Sequence, residues 1–181
     1  MSNGTNFWIR WRVRTGYAVG ILAFVTARPQ TKWLLWGAAI AIFGLLVRGY
    51  AAGYLRKHQQ LATSGPYAFT RNPLYLGSMF LAAGFCVASH SWISTVLLAA
   101  YLAIFYPMVI RREQAELERH YGSAFLEYSS RVPAFWPRLT PATPSTTRFS
   151  WSLYLQNREY EATIGLAVAM AILFVRMMWV K

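Results

Sequence analysis

Five apolar runs, each bordered by Arg or Lys, divide the 181-residue chain. They are Thr15–Ala27, Trp33–Val47, Leu74–Ser89, Ser91–Ile110 and Ala162–Val180. A membrane-crossing helix needs about 20 apolar residues, with a lower limit near 17. The first run reaches that limit only when extended from Val13 to Pro29, and the second continues as helix to Leu55. Only 13% of residues are charged and 56% are hydrophobic. A water-soluble globule could not cover so much apolar side chain with so little polar surface. The aromatic richness excludes a disordered chain, and the lone Cys86 excludes a disulfide scaffold.

The formal net charge of +12 would also suit nucleic acid. The basic residues, however, are scattered and border the apolar runs, which is the positive-inside pattern of a membrane protein. No nucleic-acid partner is therefore expected. With the N-terminus inside and five crossings, only Arg28, Lys32, Arg176 and Lys181 of the 18 basic residues fall outside. All six acids, each a Glu, then lie on the cytoplasmic side. Arg176 sits near enough to its helix end to snorkel to the interface. Residues 1–27 also fit a signal peptide, with Arg10, Arg12 and Arg14 as the basic region and Val25-Thr26-Ala27 as the cleavage signal. The gap of only a few residues to the next apolar run fits a helical hairpin better. The third and fourth runs are short enough to form a hairpin that stops within the membrane.

These features predict an all-α fold: a polytopic transmembrane bundle of about five helices, multi-pass, with no Rossmann domain. Residues 1–55 form an N-terminal helical hairpin, 56–140 a core, and 141–181 a linker and C-terminal helix. Residues 133–144 hold four of the eight prolines and read as a non-helical linker. Trp151 and Tyr154 sit where an aromatic belt precedes the last helix. Ala38, Ala41 and Gly44 permit close helix packing.

Two polar segments on the cytoplasmic side carry more chemistry than loops need. In the first, Ser64-Gly65-Pro66-Tyr67 marks a turn, and Arg71-Asn72-Pro73-Leu74-Tyr75-Leu76-Gly77 opens a helix. Pro73 suits the first helical position, and the Asn72 side chain is placed to cap it. The free N–H groups there, with Arg71 beside them, could hold a carboxylate or phosphate. In the second, Glu113, Leu117 and Tyr121 recur at i, i+4, i+8 on a helix that continues the fourth apolar run. Arg112 and Glu116 are an i, i+4 pair, and Gly122 is expected to end the helix. His58 and His120 lie on the same side, but no His, Cys and Glu residues have metal-ligand spacing, so no metal is expected. Cys86 reads as core packing and His90 as polar filler in a short loop.

Taken together, these two segments, with Tyr128 and Arg131-Val132-Pro133, resemble the isoprenylcysteine carboxyl methyltransferase family, with phospholipid N-methyltransferases as more distant relatives. The match covers roughly residues 56–138. The resemblance implies an integral membrane methyltransferase using S-adenosylmethionine on a lipophilic acceptor, such as the carboxylate of a prenylcysteine-like lipid. It implies a cytoplasmic helix-and-loop cofactor pocket. Carried over by position, the cofactor contacts are Gln59, Gln60, Leu61, Ala62, Tyr67, Asn72, Pro73, Leu74, Tyr75 and Glu113. Arg71, Arg112 and the neighbouring Arg111 are candidates to hold an acceptor carboxylate. Glu116 is the carboxylate placed to deprotonate an amine acceptor. Three positions depart from the family: Asn72 stands where His is common, Gln114 where a second acid is common, and Val109 where the eukaryotic enzymes have a substrate-binding Arg. Asn72 cannot titrate near neutral pH, so a proton-transfer role there is lost. The alternatives are a phospholipid amine N-methyltransferase, or an NADPH-dependent reductase of the sterol reductase type with Arg56, Lys57 and Arg71 on its phosphates. A non-catalytic membrane protein that kept the fold is a third reading.

Overall fold

The computed structural model describes residues 3–57, 59–142 and 147–179, with side chains from Trp11 onward. The described residues are helical and contain no strand. In chain order the helices are α1 (Asn3–Thr26), α2 (Thr31–Ala52), α3 (Pro73–Ser89), α4 (Trp92–Tyr121), α5 (Ser123–Arg131), α6 (Trp151–Gln156) and α7 (Tyr160–Trp179). A 3₁₀ turn, Gly65–Ala68, lies between α2 and α3. Three helices, α2, α4 and α7, are long and apolar enough to cross a membrane, and α3 is apolar but 17 residues long. Large apolar side chains point outward from α2 and α7, Leu46 at 65% exposure and Ile164 at 58% among them. A water-facing surface would not carry such bands.

The sequence-derived boundaries hold within a few residues except at the start. Helix α1 extends ten residues before Val13 and so carries the basic cluster within the helix. It falls outside the three span candidates. Ser91 caps α4, its side chain accepting from Ser94 N. Gly122, at φ +52°, ends α4 as expected, and α5 turns back from it. Pro107 sits inside α4; packed neighbours make such a break tolerable in a membrane helix.

Helices α2 and α3 make the closest pair. Gly37, Ala41 and Gly44 on α2 are buried against Gly77, Gly84 and Ala88 on α3. A Cβ at Gly44 would lie 2.6 Å from the Gly77 carbonyl oxygen, and one at Gly84 2.6 Å from Ala41 N. Lipid offers apolar helices no hydrophobic drive to associate, so the bundle depends on backbone approach of this kind. The predicted stripe of small residues is thus real, but its inner member is Gly37, with Ala38 half-buried beside it.

Helix α1 runs against α4. Ser94 Oγ donates to Ala23 O at 2.8 Å and lies 3.0 Å from Thr26 Oγ1. Helix α7 packs on α2 and α3, with Leu173 buried among Ala27 and Ala88. Arg176 does not simply reach for the interface. Its guanidinium donates to the carbonyls of Ala27, at 2.7 Å, and Val25, supplying partners to the open C-terminal end of α1. His90 is likewise more than filler: it ends α3 in the left-handed conformation, at φ 45°, and stacks on Trp33 at 5.2 Å. Half-buried Cys86 lies within α3.

Gly84→Val should lower stability in detergent by about 1–3 kcal/mol, because the extra carbons meet backbone. Gly165→Ala, where nothing lies within 4 Å of the new Cβ, should stay within about 0.5 kcal/mol of the parent or gain slightly. Thermal unfolding of the two variants in one detergent checks this contrast.

Candidate active site

At the end of the bundle where α2 stops and α3 begins, the connecting segments and the far end of α4 enclose a cavity of about 1150 Å³. Three backbone devices build it. The first is the 3₁₀ turn. Gly65 takes φ +61°, and a Cβ there would lie 2.7 Å from the Tyr54 ring, so only glycine fits. The second is the reversal at Gly122, which folds Phe125, Tyr128 and Val132 of α5 and its end onto Leu61, Leu117 and Tyr121.

The third device is the proline-rich stretch. Over its described part, 133–142, it is non-helical as expected; Thr143 and Pro144 lie outside the described residues. It is not a slack linker, because it bonds along the segment 68–72. Arg71 N donates to Pro133 O at 3.0 Å, Arg138 N to Phe69 O at 3.0 Å, and Ala142 N to Ala68 O at 2.9 Å. Thr70 Oγ1 donates to Phe135 O at 2.8 Å. Asn72 occupies the N-cap position of α3, and Pro73 the first helical position, but the Asn72 side chain makes no capping bond. Its Nδ2 donates to Ala134 O at 2.6 Å. The expected capping role is corrected accordingly: the strap offers a carbonyl that needs a donor.

The structure brings most of the sequence-derived site residues to this cavity. Gln60, Leu61 and Ala62 line one side, and Tyr67, Asn72, Pro73, Leu74 and Tyr75 another. Glu113, Glu116 and Arg112 face them from α4, and Arg71 from the loop before α3. Gln114 and His120 also line it. Gln59 and Arg111 are exposed and do not. His58 lies outside the described residues. Among the described residues, no three His, Cys, Asp or Glu side chains gather where they could hold a metal ion.

Sequence reasoning missed Arg12 of α1, Arg48 of α2, Phe105 and Tyr106 of α4 and Phe125 of α5 as cavity walls; Tyr128 of α5, named there only within the family resemblance, lines the cavity too. Arg48 is the best anchored. Its Nε and Nη2 meet both carboxylate oxygens of Glu159, at 2.5 and 3.1 Å, and Nη1 donates to Ser78 Oγ and to Leu74 O. Glu159 is only 7% exposed. A two-pronged pair this buried demands good geometry to offset its desolvation. By contrast, Arg112 and Glu116 pair at 2.9 Å in the open, which is worth little.

Among the described residues, two buried donors in the cavity wall have no hydrogen-bond partner: the Tyr67 hydroxyl and Arg71 Nε. Burial, and Glu113 nearby, push the Tyr67 phenol above its ordinary value. Burial likewise raises Tyr128, while Arg71 pulls it down. Both phenols therefore stay protonated, and Tyr128 donates to Tyr67 O at 2.8 Å. Burial lowers the Arg71 guanidinium, opposed by Tyr128; it still carries its charge and lies 5.9 Å from the Phe125 ring centroid. Glu113 enters no ion pair among the described residues.

A helical membrane protein with a large ligand-sized cavity at one end of its bundle is the class these features define. A family model described as phospholipid methyltransferase matches residues 16–124. The chain is 32% identical over 157 residues to the cobalt-zinc-cadmium resistance protein CzcN of Cupriavidus metallidurans, covering 81% of this chain and 69% of that one. It is 34% identical over 139 residues to the nickel-cobalt-cadmium resistance protein NccN of Alcaligenes xylosoxydans xylosoxydans, covering 72% and 64%. It is 32% identical over 81 residues to the protein-S-isoprenylcysteine O-methyltransferase of Schizosaccharomyces pombe, covering 45% and 34%. No solved structure matches the chain. The chain belongs to the phospholipid methyltransferase family, with isoprenylcysteine methyltransferases among its relatives, and is by that membership a methyltransferase.

Asn72→Ala leaves the Ala134 carbonyl without its donor, at a cost of about 1–3 kcal/mol. The expected result is a lowered unfolding temperature and faster proteolytic cutting within 133–142, read by mass spectrometry of the fragments.

Proposed function

We propose that the protein methylates a lipophilic acceptor with S-adenosylmethionine, at a cavity facing the cytoplasm, with the N-terminus inside and five helices in the membrane. The acceptor is a lipid carboxylate of the prenylcysteine-like or wider isoprenoid kind. Residues 56–140 form the methyltransferase core, 1–55 the N-terminal hairpin, and 141–181 the linker and last helix. The observation that carries this reading is the pair of unpartnered donors, Tyr67 Oη and Arg71 Nε, buried in a cavity that also gathers Asn72, Tyr75 and Glu113. Buried donors without partners are costly and rare in folded proteins. A ligand with acceptor atoms relieves that cost.

The donor set suits the cofactor. Arg71 is placed for its carboxylate, and Glu113 for its ribose hydroxyls or ammonium. The Tyr67 and Tyr75 faces suit adenine or a sulfonium, the latter through cation–π attraction. Gln60, Leu61, Ala62, Pro73 and Leu74 supply the remaining wall. When bound, S-adenosylmethionine supplies a methyl carbon already activated by its sulfonium leaving group. The residues contribute position and a water-poor site. A carboxylate acceptor has no proton to lose, so this chain needs no base for it. An amine acceptor does, and Glu116, released from Arg112, is the carboxylate placed to take it. The cavity exceeds the usual range of about 300–1,000 Å³ for single small-molecule pockets, which suits two ligands held together.

The exposed Arg56 and Lys57 at the rim favour the second reading, a reductase with NADPH, because they would suit extra phosphate. Calorimetric titration of the detergent-purified protein separates the two. The expected result is saturable binding of S-adenosylmethionine, weakened about tenfold or more in Glu113→Ala, and no binding of NADPH. NADPH binding alone would replace the methyltransferase reading with the reductase one.

A further inference from the structure

A smaller chamber, of about 260 Å³, adjoins the large cavity on the α1 side. The two share Arg12, Tyr75, Phe105, Tyr106 and Val109, and the chamber adds Val13 and Tyr101. Helix α1 is held tightly there. The Tyr101 hydroxyl donates to Arg12 O at 3.3 Å, and the same hydroxyl would lie 2.9 Å from a Cβ at Gly16. The Tyr75 and Tyr106 rings meet edge to face at 5.4 Å and form the partition. The half-buried Arg12 therefore stands at the junction of a polar cavity and a largely apolar chamber.

The charges around the large cavity do not balance. Glu159 matches Arg48, and Glu116 matches Arg112. Arg12, Arg56, Lys57 and Arg71 are left facing Glu113 among the described residues. S-adenosylmethionine carries a sulfonium and an ammonium against one carboxylate at neutral pH, so it adds positive charge. Like charges close together in a low-dielectric site repel strongly. A second ligand that is an anion removes that penalty. Arg56 and Lys57 are exposed and screened by water, and Arg71 lies among the proposed cofactor contacts. Arg12 enters no ion pair among the described residues and borders apolar walls, where a guanidinium gains most from a partner.

We infer that Arg12 holds the anionic group of the acceptor at the junction of the two cavities, with the acceptor's apolar chain in the chamber between α1 and α4. This rests on the reading of the large cavity as the cofactor site. It makes α1 a contributor to acceptor specificity, and it moves the anion-holding role from the expected Arg112, which is paired in the open, to a residue outside the core segment.

The test uses the full chain in nanodiscs of zwitterionic lipid and a stearate probe spin-labelled near its carboxyl end. Electron paramagnetic resonance reads the immobilised fraction, with unlabelled stearate and stearyl alcohol as competitors. Wild type should bind the probe, and stearate should displace it about tenfold better than the alcohol. Arg12→Gln should erase that preference and Arg12→Lys should keep it, since charge is what matters. Equal competition by the alcohol in wild type, or an unchanged preference in Arg12→Gln, would overturn the assignment. Calorimetry with S-adenosylmethionine on the same samples separates the two failures. Binding equal in wild type and Arg12→Gln, with no carboxylate preference, sinks only the acceptor assignment. Absence of binding in wild type overturns the cofactor reading and this inference with it.

Discussion

The contact of α2 with α3, backbone on backbone through Gly37, Gly44, Gly77 and Gly84, is the constraint on which the rest of the molecule depends. Without side chains between them, the two helices bring Arg48, one turn beyond Gly44, onto Ser78 and Leu74. There the guanidinium closes the membrane side of the cavity, and Glu159 from the turn before α7 fixes it. A wider α2–α3 spacing would take Arg48 away from Ser78 and Leu74 and leave Glu159 as its remaining partner. Small residues in the bundle thus determine polar geometry at its end. Leu173 and Arg176 tie the same α7 to the α1 terminus at the other end, so the C-terminal helix spans the functional and the structural ends alike.

The cavity itself is made by segments with little regular structure, and they are fixed by hydrogen bonds more than by packing. The strap over 133–142 satisfies backbone groups of 68–72, and these in turn orient Tyr67, Arg71 and Asn72. Among the described residues, the buried Tyr67 hydroxyl and Arg71 Nε are left without a hydrogen-bond partner. On the proposed reading, a ligand's acceptors complete them. Glu113, hydrogen-bonded to Tyr75 and in no ion pair among the described residues, supplies the opposite chemistry in the same cavity.

Much of this was legible in the sequence, because local rules governed it. The apolar runs gave the helices, Gly122 the break, Pro73 the helix start, and the i, i+4, i+8 series put Glu113, Leu117 and Tyr121 on one cavity face. The features that escaped are tertiary. Arg48 and Glu159 are 111 positions apart, and nothing in either neighbourhood announces the other. Arg12 was one of three alternating arginines and took its meaning only from where α1 meets α4. Asn72 looked like a cap because its local setting is that of a cap; the strap carbonyl of Ala134 outcompeted the helix end for it. Gln59 and Arg111 fell outside because their neighbours on the same segments, Gln60 and Arg112, take the inward positions.

On the proposed function, the cavity between the 3₁₀ turn and the extension of α4 holds S-adenosylmethionine. Ultraviolet cross-linking of the radiolabelled cofactor to the purified protein, followed by peptide mapping, tests it most directly. Label is expected only on peptides containing residues 60–75 and 113–121, and unlabelled cofactor should compete it away. Saturable label on the α2–α7 face, or on peptides that do not line the cavity, would contradict it.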